Sequence, residues 1–78
     1  MDFESMSKYD YRNYVIDVTG INRISDAAFN TLYENRIDIT PKFLCGVGDF
    51  VRHANRRTIV IIDVELAFQQ LKHLLAFD

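Results

Sequence analysis

An apolar stripe that keeps one helical phase through the middle of the chain is the strongest constraint on its fold. The stripe runs through residues 26–54 and consists of Ala28, Leu32, Ile39, Phe43, Val47, Phe50 and Ala54. Apolar residues that recur at intervals of three and four residues predict one face of an α-helix. Such a helix would be roughly 40 Å long at about 1.5 Å per residue, which is too long for so small a chain to cover by itself.

Pro41 lies inside this stripe and works against a continuous helix. Proline within a helix removes one backbone hydrogen bond and costs about 3 kcal/mol, whereas Thr40 could cap a fresh helix that has Pro41 in its first turn. Gly46 and Gly48 weaken the segment by up to about 1 kcal/mol each relative to alanine. We therefore expect a middle helix that is kinked or interrupted near Pro41 and is held in phase by its apolar stripe.

Two shorter helices are predicted on either side of this middle segment. Ser7 can cap the first helix, and Gly20 is a suitable residue to end it. Residues 21–25 are expected to be a connector and residues 55–62 a short extended loop, and Ser25 can cap the middle segment. The third helix is expected over Ile61–Ala76, where these apolar residues again follow helical spacing: Val64, Ala67, Phe68, Leu71, Leu74 and Leu75.

The length and composition predict one globular domain over residues 1–78, in which residues 1–8 form a short acidic N-terminal arm. Hydrophobic residues make up 49% of the chain and charged residues 26%, which excludes a disordered chain. No apolar run approaches the roughly 18 residues that a membrane span needs, and the N-terminal residues lack a secretory pattern. Cys45 is the single cysteine, so it permits no internal disulfide and suits a reducing, intracellular compartment.

Patterns typical of catalysis or metal binding are weak throughout the chain. Cys45 has neither a neighbouring base nor a CxxC partner, and His53 has no second ligand at metal spacing. Gly46 and Gly48 lie within a helical pattern and lack the lysine that follows a phosphate-binding glycine loop. We therefore expect no enzyme, no cofactor, no metal and no small-molecule substrate.

Three stretches resemble the histone-fold family, in particular archaeal histones and the fourth nucleosomal core histone. The sequence "GINRIS" at residues 20–25 is similar to the family's first loop, and "HANRRT" at 53–58 to its second loop. "DVELA" at 63–67 resembles the opening of the third helix. The resemblance covers residues 11–71 and implies an all-α histone fold of short, long and short helices. It also implies a head-to-tail dimer with a second histone-fold chain, either itself or a distinct partner, in a nucleus, nucleoid or viral particle.

The resemblance also implies how such a dimer would contact duplex DNA. The first loop of one subunit lies beside the second loop of the other, and each loop pair touches the DNA backbone. Arg23 would reach into the minor groove, Thr58 would orient it from across the dimer, and Arg57 would face a phosphate. Arg56 belongs to the same basic loop and would form a clamp with Asp63. The implied DNA-binding residues are thus Arg23, Arg56, Arg57 and Thr58.

Two functions remain open from the sequence. A basic cluster such as Arg52, Arg56 and Arg57 is, taken alone, typical of a solvated helix end, but a matching first loop at the right distance favours a histone-like DNA-binding subunit. The alternative is a dimerisation or scaffold subunit of a transcription-factor or kinetochore-type complex with little DNA binding. The excess of 11 acidic over 9 basic residues and the lack of a basic tail favour that second reading.

Either function would need a dimer interface. We expect it to contain apolar residues that one short chain cannot cover: Phe43, Val47, Phe50, Phe68 and Leu71.

Overall fold

The computed structural model describes residues 5–76, and it describes the side chains of residues 5–72. This part of the chain contains four helices and two very short strands, so the predicted all-α class is confirmed. In chain order they are α1 (Lys8–Thr19), β1 (Arg23–Ile24), α2 (Asp26–Glu34), α3 (Pro41–His53), β2 (Thr58–Ile59) and α4 (Ile61–Ala76).

The ends of α1 and the start of α2 lie where the capping residues predict them. The Ser7 side chain accepts a hydrogen bond from the backbone N–H of Asp10 at 3.1 Å, and Ser25 accepts one from Ala28 at 3.3 Å. Gly20 ends α1 in the left-handed conformation, with φ of 73°, and donates its N–H to the Ile16 carbonyl at 2.8 Å. These three caps are confirmed, because each depends on residues within one turn of the helix end.

The middle segment is interrupted rather than kinked, because the chain breaks between α2 and α3. The Asn35 side chain closes α2 by donating to the Thr31 carbonyl at 2.8 Å. Thr40 caps α3 by accepting from the Phe43 N–H at 3.1 Å, with Pro41 in the first turn. A proline at that position has no N–H to continue α2 and would clash with the carbonyl four residues earlier. Of the two expectations, the fresh start at Pro41 is the one observed.

The break allows the two short strands to meet within one chain. β1 precedes α2 and β2 follows α3, and they pair in parallel with Arg23 opposite Thr58 and Ile24 opposite Ile59. The Ser25 N–H extends the pairing by donating to the Ile59 carbonyl at 2.9 Å. The outer ends of α2 and α3 are therefore held side by side, and the chain doubles back through residues 35–40.

The core lies where α3 packs against α1 and where α4 packs against both α2 and α3. Its buried apolar residues are Met6, Tyr11, Val15, Ile24, Ala28, Phe29, Leu32, Ile39, Leu44, Val47, Val51, Ile59, Val64 and Ala67. Both strand isoleucines belong to this set, so the strand pair is anchored in the core.

Within the single chain, four of the five proposed interface residues are covered at least in part, while their place in a dimer interface stays a prediction. Val47 is fully buried, and Phe43, Phe50 and Phe68 pack partly buried against the core. The rings of Phe43 and Phe68 lie 4.7 Å apart between centroids. Only Leu71 stays exposed, at 42%. This covering results from the break, because the reversal of the chain at residues 35–40 packs α3 against α1 and α4 of the same chain. The predicted burial of Leu74 and Leu75 falls outside the described side chains.

Tyr11 contributes to the core in an unusual state. Its side chain is fully buried among the rings of Tyr14, Phe29 and Tyr33, whose centroids lie 5.8 to 6.2 Å away. Among the described residues its hydroxyl has no hydrogen-bond partner. Burial, with a smaller contribution from Tyr14, raises the pKa of Tyr11 to about 12. The ring therefore stabilises the core while the hydroxyl adds a desolvation cost.

We predict that Tyr11→Phe leaves the free energy of unfolding at pH 7 unchanged or raises it by up to about 1 kcal/mol, since it removes an unpaired buried hydroxyl. The unfolded tyrosine ionises near pH 10 and the folded one near 12. The wild type should therefore lose stability as the pH rises between these values, and Tyr11→Phe should lose less. Urea titrations from pH 7 to 11 measure both effects. Tyr9→Phe is the control, because Tyr9 is 74% exposed. A loss above about 1 kcal/mol in Tyr11→Phe at pH 7 would contradict the assignment.

Candidate nucleic-acid interface

Two loops, paired through the short strands, bring the predicted DNA-binding residues together. Loop 1 is residues 20–25, and loop 2 is residues 54–60. Arg23 stands opposite Thr58 in the strand pairing, with Arg23 exposed and Thr58 half-buried. Successive side chains on a strand point to opposite faces, so the buried Ile24 and Ile59 turn Arg23 towards solvent. The resemblance implies this pairing across a dimer, whereas here both residues belong to one chain.

A left-handed residue after α3 sets the direction of loop 2. Asn55 has φ of 56°, a conformation that asparagine adopts more readily than most residues. Its N–H donates to the Arg52 carbonyl at 3.0 Å, and the Arg56 N–H donates to the Val51 carbonyl at 3.1 Å. This tight turn is followed by Arg57, which is exposed beside Thr58.

The paired loops carry a charge opposite to that of the whole chain. Loops 1 and 2 contain three arginines, Arg23, Arg56 and Arg57, and no acidic residue, while the chain has a formal net charge of −2. Asp63 lies just beyond loop 2 and faces Arg56. Arg23 and Arg57 therefore remain as the exposed cations of this surface. A surface of this kind suits an anion such as a phosphate.

Arg56 and Asp63 form the clamp that the resemblance implies. Arg56 Nη1 donates to Asp63 Oδ2 at 2.8 Å, and Nη2 donates to Oδ1 at 2.5 Å. Asp63 is fully buried, while the Arg56 side chain is 35% exposed. The hydrogen bond to Asp63 raises the pKa of the Arg56 guanidinium. Because both terminal nitrogens are engaged with Asp63, a DNA contact by Arg56 stays a prediction.

Asp63 has a second role that the sequence reasoning missed. Its Oδ2 also accepts the backbone N–H of Val60 at 3.0 Å, so this carboxylate caps α4 in addition to holding Arg56. An acidic residue near the third position of a helix that reaches back to the N-cap amide forms one half of a capping box. That spacing is visible in the sequence and could have predicted the cap.

Arg52 links α3 to the end of α1 through a contact that the sequence does not indicate. Its Nη2 donates to the carbonyl of Thr19, the last residue of α1, and its Nη1 lies 3.3 Å from Asp49 Oδ1. Gly48 makes room for this side chain. A Cβ added at Gly48 would lie 3.0 Å from Arg52 Nη1 and 3.5 Å from the Thr19 carbonyl oxygen. The glycine that weakens the helical pattern thus permits the close approach of α1 and α3.

Among residues 5–72, whose side chains are described, no group of three or more His, Cys, Asp or Glu side chains is placed to hold a metal ion. No helix in residues 5–76 combines the length and the apolar character required to cross a membrane. His53 and Cys45 are both exposed.

No protein-family model, curated protein or solved structure matches this chain.

We predict that Asp63→Ala lowers the free energy of unfolding by about 1–3 kcal/mol, because it removes a bidentate partner from the partly exposed Arg56 and the cap from α4. Asp63→Asn is the matched control: it keeps the size and one acceptor oxygen, so it should retain the cap but lose the charge pairing. Its loss should be smaller than that of the alanine variant. Guanidinium denaturation followed by circular dichroism measures both. A loss under about 1 kcal/mol for Asp63→Ala would mean that the pair behaves as an exposed one.

Proposed function

We propose that this chain is a histone-like DNA-binding subunit that contacts duplex DNA without sequence specificity through its paired loops. The observation that carries the proposal is the register of the strand pair, which sets Arg23 opposite Thr58 on a surface with Arg57 and no acidic loop residue. The histone-fold resemblance assigns the same three residues to DNA contact. The strand register and the resemblance therefore favour the same surface, that of the paired loops.

Each residue has a distinct role in this proposal. Arg23 enters the minor groove, where negative potential is concentrated and a guanidinium is less costly to desolvate than an ammonium. Arg57 faces a phosphate, and Thr58 orients Arg23 from the neighbouring strand. Backbone and phosphate contacts fix the position of a protein on DNA but carry no sequence information, so the binding is expected to be non-specific.

We further propose that a second histone-fold chain takes part through exchange at the break. If residues 35–40 became helical, α2 and α3 would form one long helix, and each strand pair would form between two chains. The apolar stripe keeps its phase on both sides of the break, which suits such a helix. Exchange of identical elements between two chains is a low-cost route to a dimer.

The scaffold function is the second candidate. The excess of acidic residues favours it, and so do exposed apolar residues on α4, namely Ile62, Leu66 and Leu71. A folded chain that binds no duplex DNA at low salt would favour this function over DNA contact.

The exchange proposal predicts that Pro41→Ala raises the dimer fraction, because it removes a cost of about 3 kcal/mol from a continuous helix. Light scattering coupled to gel filtration, over a concentration series, measures the effect. Gly46→Ala is the control: it strengthens the same helix, and its new Cβ meets nothing within 4 Å, but it leaves the proline in place. Pro41→Ala that stays monomeric at the highest concentration would count against exchange.

The DNA proposal predicts that affinity for a random duplex falls by about 0.9 log units per log unit of salt for each phosphate neutralised. Arg57→Ala should lower this slope by about 0.9 for each chain bound. Arg23→Ala should weaken binding most on A-tract DNA, where the minor groove is narrow. Fluorescence anisotropy over a salt series measures all three.

Arg36→Ala is the control for both arginine variants. Arg36 lies beyond the opposite end of α2 from loop 1, where its guanidinium carbon is 4.1 Å from the centre of the Tyr33 ring. Its loss should change DNA binding much less. An effect of Arg36→Ala as large as that of Arg23→Ala would contradict the assignment of the paired loops.

A further inference from the structure

Arg52 lies in the last turn of α3, at the point where α3 meets the end of α1 and the start of loop 1. Its side chain is 55% exposed, yet both terminal nitrogens have partners. The last carbonyls of a helix accept no hydrogen bond from within that helix, and they lie at the negative end of the helix dipole. A guanidinium bound to the Thr19 carbonyl is therefore both a hydrogen-bond partner and a favourable charge for the end of α1.

The Thr19 end of this contact is rigid. Thr19 is buried, and its hydroxyl donates to the Val15 carbonyl at 2.8 Å. The same hydroxyl accepts the N–H of Ile21, in loop 1, at 3.1 Å. Thr19 therefore connects the Arg52 guanidinium to the backbone of loop 1 through two hydrogen bonds, one at its carbonyl and one at its hydroxyl.

The backbone of Arg52 is tied to loop 2. Its carbonyl accepts the N–H of Asn55, the left-handed residue of the loop 2 turn, at 3.0 Å. One residue thus holds loop 1 through its side chain and loop 2 through its main chain. The strand pair is only two residues long, so contacts outside it have a large share in fixing the separation of the loops.

We infer that Arg52 is a positioning residue that holds loop 1 against loop 2 and thereby directs Arg23 towards its anion. The inference rests on the proposed DNA function for the identity of the anion, but the positioning itself does not require DNA. This positioning role differs from a direct phosphate contact, because Arg52 Nη1 donates to Asp49 and Arg52 Nη2 donates to the Thr19 carbonyl.

Gly48 offers a way to displace Arg52 without removing its charge. A Cβ at Gly48 would stand 3.0 Å from Arg52 Nη1, so the flexible guanidinium must shift by a few tenths of an ångström. Gly46 lies two residues earlier in α3, where a Cβ would meet nothing within 4 Å. Gly48→Ala and Gly46→Ala are therefore a matched pair, because both raise helix propensity and only the first disturbs Arg52.

The first readout is backbone amide hydrogen exchange of the full chain without DNA, followed at Ile21 and Ser25. We expect faster exchange at both amides in Arg52→Ala, a smaller increase in Gly48→Ala, and wild-type exchange in Gly46→Ala. Circular dichroism confirms that each variant is folded. If Arg52→Ala does not fold, Arg52→Met, which keeps the aliphatic stem and removes the guanidinium, decides the question. Unchanged exchange in a folded Arg52 variant would overturn the inference, whatever the DNA result.

The second readout is the affinity for a random duplex, measured by anisotropy for each variant alone and combined with Arg23→Ala. Residues that act through one another show strongly non-additive effects. Arg52→Ala should weaken binding in the same direction as Arg23→Ala, and the double variant should be within about twofold of Arg23→Ala alone. Fully additive losses would overturn the positioning role. Faster exchange in a protein whose wild type does not bind DNA would support the positioning role and reject the DNA function.

Discussion

The missing backbone N–H of Pro41 is the constraint on which the rest of this structure depends. α2 ends at Glu34, and Pro41 cannot lie inside a continuation of it, so Thr40 caps a new helix and the chain doubles back through residues 35–40. Doubling back returns α3 to α1 and α4 and places β2 beside β1. Val47 and the aromatic residues around it are consequently covered within one chain. The pairing of the loops also depends on this reversal, because one straight helix through α2 and α3 would hold loop 1 and loop 2 at its opposite ends.

The paired loops have a charge opposite in sign to that of the whole chain. A formal charge of −2 suggests little attraction to a polyanion, but the acidic residues are absent from loops 1 and 2. Asp63 is nearby, but it is buried, and its carboxylate accepts hydrogen bonds from Arg56 and from the backbone at the start of α4. The clamp thus removes one arginine and one carboxylate from the surface together, and leaves Arg23 and Arg57 facing solvent. Such separation of charge suits contact with a phosphate backbone.

Some of these features could be predicted because their causes are local. The caps at Ser7, Gly20 and Ser25 need only a few neighbouring residues, and each is present. The break at Pro41 was one of two local possibilities, and the apolar stripe fits both, so periodicity alone could not choose between them. Which residues one chain can cover depends on how the helices fold back, and periodicity does not indicate that arrangement.

The contact between Arg52 and Thr19 shows where sequence reasoning ends. These residues are 33 positions apart, and the acceptor is a backbone carbonyl, which has no residue-specific signature. Gly48 was interpreted as a weak point of a helix, although its lack of a side chain makes room for Arg52. By contrast, the Arg56–Asp63 pair spans only seven residues across one loop, and the family resemblance could indicate it.

The most direct test of the paired-loop surface is a titration of the isotopically labelled full chain with a short random duplex, followed by amide chemical shifts. If the loops form the DNA contact, the first and largest changes should appear at Arg23, Ile24, Arg57 and Thr58. Amides near Lys8 and Arg36, at the other end of α1 and α2, should change little. Largest changes at that distant end, or no changes at low salt, would contradict the account.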